Sequence, residues 1–465
     1  VRRVAVLAAA GALGLLLLGG AALAGRRANA HALHEPAETA GPPSLQAAAP
    51  PSPREPAFAE PAPPGPTGLP PLAEESAAPA EVVLKRRQGR TEKELLEEIA
   101  RTPSVGLDRS PTRAESNVMI EAARWARATG EGNGDTTLAE VALRDDLAGL
   151  PLRRGRACRL SPPVAARFDQ CAAELRGKAS DAEALRALTA HTKADQWLTP
   201  QDVPVLMQVL MAEASPVREV LVERLAYIKG LVATAALAQI ALFDLHPKVR
   251  ERAVRQLARR PAAYSQAALL RGFEHPWTVV ADHAAEAVVA LRMKRAVPDL
   301  VRLLERPDPR VAYSKDNTDR FFVKEVVRVN HLRNCLLCHP PSFEEQDRVR
   351  GRVPSTDEAL DADSRRYYGP APNRVFVRAD VTYLKQDLSA MLPVASPGPW
   401  PALQRFDFFV RERAATPDEI LAAVPCPKAG PHHHQRAVLF ALRELTGRDL
   451  GPRPADWKKA VVISR

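Results

Sequence analysis

Cys335, Cys338 and His339 carry the most specific chemistry in the sequence: they stand as Cys-x-x-Cys-His, with Leu336 and Leu337 between the thiols. Two thiols at this spacing can add to the two vinyl groups of one porphyrin, and the adjacent imidazole can then take the proximal position on iron. The segment is therefore expected to hold haem c covalently, with Cys335 and Cys338 as thioethers and His339 as axial ligand. A sixth ligand has to approach from the opposite porphyrin face. Met391 is the first candidate, because it follows His339 by 52 residues and Pro393 would stiffen the loop presenting it. His432, His433 and His434 are the alternative. His331 precedes Cys335 by four residues, a helical spacing that suits zinc with Cys335 and Cys338 better than the far side of a haem. Zinc is thus the competing cofactor. The same residues also have bland readings: the motif as a helix terminus, Met391 as an apolar strand cap, and the three histidines as a solvated helix cap.

The remaining cysteines and the overall charge point the same way. Cys158 and Cys171, 13 residues apart, form a candidate disulfide in an oxidising compartment, contributing about 3 kcal/mol by loop closure. Cys426 is then the odd thiol. No Gly-rich phosphate loop, Gly-x-Ser-x-Gly elbow or His-Glu-x-x-His helix is present, which argues against hydrolases and nucleotide enzymes. No residue is assigned a catalytic role. The formal charge is +10, but the excess is arginine spread along helix faces, so a solvated surface is expected and no nucleic-acid partner.

Haem attached through thioethers requires export, and the first residues meet that requirement. Arg2 and Arg3 form a basic n-region, Val4 to Leu18 an apolar h-region, and Ala22-Leu23-Ala24 a small-x-small cleavage site, with Ala28-Asn29-Ala30 as a second. The expected location is periplasmic or secreted; an uncleaved leader acting as an anchor is the only membrane contact foreseen. Val1 in place of Met, with abundant Ala, Arg, Pro and Gly, suggests a GTG start in a GC-rich bacterial genome. From His31 the chain is rich in Pro, Ala and Glu, with too few large apolar groups to offset its ordering entropy, so a disordered tether is expected.

The elements that would position the motif are mostly helices. Low aromatic content, 5%, and abundant alanine favour helix over sheet. Thr91 with Glu94 and Thr112 with Glu115 form capping boxes. A further helix is read after Pro162-Pro163. From Thr199-Pro200 onward, short amphipathic helices are punctuated by Pro216, Pro247, Pro276 and Pro309, spaced by 31, 29 and 33 residues. Phe321, Phe322, Val326 and Val327 read as one more packed helix ending at the Cys-x-x-Cys-His segment. Alternating apolar residues in 374–384 and 405–411 predict a two-stranded ribbon. Helices are expected again over 417–423, 435–445 and 454–461, with Trp457 against the preceding helix.

The entries into the second helices, such as Lys248-Val249-Arg250-Glu251-Arg252-Ala253-Val254, resemble HEAT repeats over residues 199 to about 312. With the leader and the motif, the chain resembles exported bacterial HEAT-repeat proteins that carry a cytochrome-c-like haem site. The resemblance implies a mostly α fold: a HEAT-like α-solenoid of antiparallel helix pairs with a small two-stranded β insertion and a disordered N-terminal tether. The expected divisions are leader 1–30, linker 31–82, N-terminal helical domain 83–198, repeats 199–340, β insertion 341–415 and C-terminal helices 416–465. It also implies a protein partner on the repeat surface. The reading is a scaffold bearing one haem c for electron transfer or redox sensing, with a non-enzymatic interaction scaffold whose Cys-x-x-Cys-His is structural or zinc-binding as the alternative.

Overall fold

The computed structural model describes residues 84–106, 203–315, 319–342, 350–355, 376–378, 386–397, 401–423 and 430–463, apart from a few isolated positions. The leader, the tether, Cys158, Cys171, Cys426 and most of the helices expected between Thr112 and Leu175 lie outside the described residues. The fold combines helices with a small mixed sheet.

The first helix, α1 (Glu92–Ile99), starts at the Thr91–Glu94 capping box and buries Leu95 and Ile99 on one face. A run of helices follows: α2 (Val203–Leu210), α3 (Ser215–Tyr227), α4 (Leu231–Phe243), α5 (Pro247–Leu257), α6 (Ala263–Gly272), α7 (Thr278–Ala290) and α8 (Val297–Leu303). Pro216 and Pro247 occupy the first turns of α3 and α5, where a missing N–H costs nothing. Pro276 lies just ahead of α7. Pro309 opens no helix; the chain turns there towards the sheet. Helix α4 is apolar on nearly every side and is buried from Ala233 to Phe243 except at Ala235 and Gln239, because α2, α3, α5, α6 and α7 all pack around it. Gln239 is its polar exception, donating to the carbonyls of Gln386 and Asp387 at 2.8 and 3.0 Å.

Helix α7 buries Asp282, His283 and Glu286. Each is matched from another part of the chain, as buried polar groups require. Asp282 accepts from Arg87 at 2.6 Å and lies 3.0 Å from His433; Glu286 accepts the Arg87 backbone N–H at 2.9 Å; His283 donates to the Leu242 carbonyl at 2.7 Å. Arg218 reaches both Asp244, 2.8 Å, and Glu92, 2.9 Å, while the Trp277 indole N–H donates to Glu98 at 2.9 Å. The segment from Arg87 to Glu98 is therefore a strap fixed to the helices by ionic and hydrogen-bonded contacts.

The sheet holds β1 (Ser104–Val105), β2 (Tyr313–Ser314), β3 (Phe321–Asn330), β6 (Leu388–Pro393) and β7 (Leu403–Ala414). Its order is β1–β3–β7–β6, with β2 also on β3; β1 runs parallel to β3 and the other pairs are antiparallel. A separate pair joins β4 (Arg350–Arg352) to β5 (Phe376–Arg378). Residues 321–330, expected as a helix, form a strand. Phe322, Val326 and Val327 fit a helical face, but β-branched and aromatic residues dominate the segment and pack better on a pleated surface. Glu325 then meets Arg411 and Arg413 across the strands at 2.5 and 3.0 Å. The expected ribbon between 374–384 and 405–411 does not form either: 376–378 pairs with 350–352, and β7 pairs with β3 and β6.

After β7 come α10 (Pro417–Ala422), α11 (His433–Thr446) and α12 (Pro454–Ile463), with a one-turn helix, α9 (Cys335–Cys338), earlier in the chain. Helix α11 packs on α7 and α8, and α12 on α8. Trp457 joins the principal core, so its helix rests on α8 as well as following α11. Among the described residues no helix is long and apolar enough to cross a membrane.

Candidate functional site

The Cys-x-x-Cys-His segment sits at the end of a strand instead of a repeat helix. Two asparagines build the turn that presents it. Asn330, the last residue of β3, accepts the N–H groups of Leu332 and Arg333 at 3.1 and 3.2 Å and donates to Gln404 at 2.8 Å. Asn334 donates back to the Asn330 carbonyl at 2.8 Å, and the His339 N–H closes the one-turn helix on the Cys335 carbonyl at 2.9 Å. Gly106, just beyond β1, lies against this turn: with φ at +89° and a Cβ position only 2.5 Å from Asn334 Oδ1, it has no room for a side chain.

Alternation along the paired strands puts two different surfaces on the sheet. Phe406, Phe408, Leu388, Ala390 and Leu392 face the helices and belong to the principal core. On the other face, Asp407 is opposite Val329 on one side and Ser389 on the other. Asp407 is buried and accepts from Ser389 Oγ at 2.6 Å and Arg405 Nε at 2.8 Å, and its Oδ2 lies 2.9 Å from His331 Nδ1. Burial alone would raise its carboxyl; Arg405 and His331 beside it, with the Ser389 hydroxyl, hold it far below the ordinary carboxylate range instead. The carboxylate orients His331 by accepting its Nδ1–H. His331 stacks edge-on with His339, ring centroids 5.8 Å apart.

Haem requires both sulfurs at the porphyrin edge and the imidazole turned to iron. The donor types are present, but Cys335 and His339 are buried. Cys335 is 7% exposed and directs its S–H back to the carbonyls of His331 and Leu332, at 3.3 and 3.5 Å. Burial, with the Asp407 carboxylate adding to it, pushes this thiol up to about 12. His339 is 3% exposed. As folded, these residues form a packed corner over the sheet. Of Cys338 only the backbone, in α9, is described.

Met391 lies on β6 opposite Arg405, on the same face as Ser389 and Asp407, and is 37% exposed. The structure thus puts it on the surface that carries the motif. The three histidines go elsewhere. His432 is the N-cap of α11 in a capping box with Gln435, as a cap reading requires, but His434 is 3% exposed rather than solvated and bonds the His275 carbonyl at 2.8 Å. His433 turns to Asp282. His432 and His434 converge with Asp308, which belongs to the turn after α8, and their ligand atoms all lie within 4.8 Å of one another. Neither Asp407 nor this second cluster emerges from spacing alone. Their only sequence signals are a carboxylate interrupting the apolar run Phe406–Phe409 and three consecutive histidines ahead of a helix. Comparison with known proteins gives no matching family model, curated protein or solved structure for this chain.

Proposed function

We propose that the protein is a non-enzymatic interaction scaffold, its helices over 203–303 a HEAT-like solenoid of antiparallel pairs that binds a protein partner outside the cytoplasm. The observation that carries this is an apolar turn left in solvent. Tyr227, Leu231 and Val232, at the α3–α4 junction, are 64, 56 and 45% exposed, although the helices they belong to bury most of their large apolar groups. Large exposed side chains grouped in one turn of a repeat array are how such arrays meet partners. The buried Cys335 and His339 then act as a structural corner that locks the β3 turn to the sheet. A photo-crosslinker at position 231, in the source cell, is expected to give one discrete protein adduct. The same probe at Lys248, exposed beyond the far end of α4, a helix about 20 Å long, should give none. Equal labelling from both positions would remove the reading.

A second reading, the haem c carrier, is favoured by the motif itself and by Met391 sharing its sheet face. Haem would supply a one-electron couple; this chain would supply Cys335, Cys338 and His339 as attachment points, with the buried Asp407 and its half-buried partner His331 beside them. Protein made with haem-maturation machinery should then keep a haem stain on a denaturing gel, and Cys338→Ser should lose most of it. Colourless protein from a competent host eliminates haem and leaves the scaffold.

A further inference from the structure

The second cluster, around His434, has what a metal centre needs and what a surface cap does not. The His434 side chain is 3% exposed, yet its Nδ1 has no hydrogen-bond partner. Its other nitrogen, Nε2, lies 2.8 Å from the His275 carbonyl, which fixes the proton there and leaves Nδ1 as a bare lone pair. A buried acceptor without a donor is costly. Asp308 Oδ1 stands 3.6 Å from that nitrogen, and an acceptor cannot satisfy an acceptor. A cation beside the two would give the nitrogen its missing partner.

We propose that His434 Nδ1, the Asp308 carboxylate and the His432 imidazole hold one divalent zinc-class ion, with an open coordination position facing the adjoining cavity. Two imidazoles and a carboxylate are a zinc donor set, and three protein ligands with a free position match sites that keep an exogenous ligand. Tetrahedral zinc would draw the ligand atoms to about 3.4 Å apart, closer than the 4.8 Å within which they now lie. The outer contacts have the character of metal-site supports. His434 donates to the His275 carbonyl; His432 Nε2 lies 3.3 Å from the Arg306 carbonyl, while its Nδ1 takes only a long 3.4 Å bond from the Gln435 N–H. Asp308 is oriented by Arg310, whose backbone N–H and Nε reach Oδ1 at 3.0 Å each and whose guanidinium also reaches Oδ2 at 2.6 Å. A carboxylate has about four lone-pair sites, so one on Oδ2 remains.

The cavity beside the cluster, about 230 Å³, is lined by Glu274, Arg306, Tyr313 and Lys324 among others. Arg306 on that wall is paired with Glu274 at 3.8 Å, so the fourth ligand would be water. Bound there, the ion would tie the turn after α8 to the first residues of α11.

The test titrates zinc into untagged, chelator-treated full-length protein carrying Cys335→Ser and Cys338→Ser, so that no thiolates of the motif compete. One zinc per chain should bind and raise the thermal midpoint. His434→Gln and Asp308→Asn should each weaken binding by at least about tenfold, while His433→Gln, whose ring faces Asp282, should leave it unchanged. Cobalt(II) in place of zinc should give visible d–d bands without the intense near-ultraviolet band of thiolate ligation. The same Asp308→Asn comparison in protein with both cysteines intact keeps the result independent of those substitutions. Absence of zinc binding overturns the proposal, as does binding that Asp308→Asn and His434→Gln leave unaltered while circular dichroism shows them folded.

Discussion

Asp407→Ala should lower the unfolding free energy by about 3–5 kcal/mol, read as a shift in the guanidinium midpoint with an unchanged slope. The carboxylate is 5% exposed and is the common acceptor for Ser389, Arg405 and His331. Removing it takes away the one buried acceptor that these three groups share, and breaking a buried charged network costs more than the pair ever contributed. Asp407→Asn keeps an oxygen for the hydroxyl but loses the charge, and should fall between. The acid limb supplies a second readout. Asp407's folded pKa lies below its unfolded value, so its stabilisation is complete above the unfolded value of about 3.9 and is lost as pH falls further. The Asn variant should lose less stability on acidification than the parent; equal acid sensitivity would show that the carboxylate is not ionised in the folded protein. Because His331 and the Cys335 turn rest on the same network, loosening there should also speed alkylation of the buried thiol.

Trp457→Ala should cost a similar amount, about 3–5 kcal/mol, for a different reason. The side chain is 1% exposed, fills the contact of α12 with the principal core, and donates its indole N–H to the Gly451 carbonyl at 2.8 Å. Truncation removes a large apolar area and opens a cavity that neighbouring helices fill only partly. Trp457→Phe separates the contributions: it keeps much of the area and should lose about 1 kcal/mol for the hydrogen bond, plus a smaller packing loss. If Phe and Ala prove equally costly in denaturant melts, the hydrogen bond and not the burial holds α12 in place.

What was legible in the sequence is what local chemistry determines. The Thr91–Glu94 box starts α1, the prolines at 216 and 247 stand in the first turns of α3 and α5, and the C-terminal helices fall where their apolar periods put them. Strand partners are another matter. The alternation in 405–411 marks a strand, but which strand it joins depends on residues far away, and β7 found β3 and β6 instead of the neighbouring segment at 374–384. Residues 321–330 were ambiguous because a short apolar run fits both periods. Cys335 and His339 could be found by spacing, since their order is itself the signal. Asp407, Asp308 and His434 could not, because each acquires its environment only when separate elements meet.

The strap carried by Arg87, Glu92 and Glu98 has a consequence for the order of events during folding. Its contacts span 195 residues from Arg87 to Asp282, 126 from Glu92 to Arg218 and 179 from Glu98 to Trp277. Closing loops of this length is entropically unfavourable until the receiving surface exists. The strap leaves the ribosome before the helices that receive it and is among the last parts to dock, so for much of synthesis Asp282 and Glu286 lack their contacts with Arg87. The strap then works as a latch on a finished body: its docking reports that α3 and α7 have already formed.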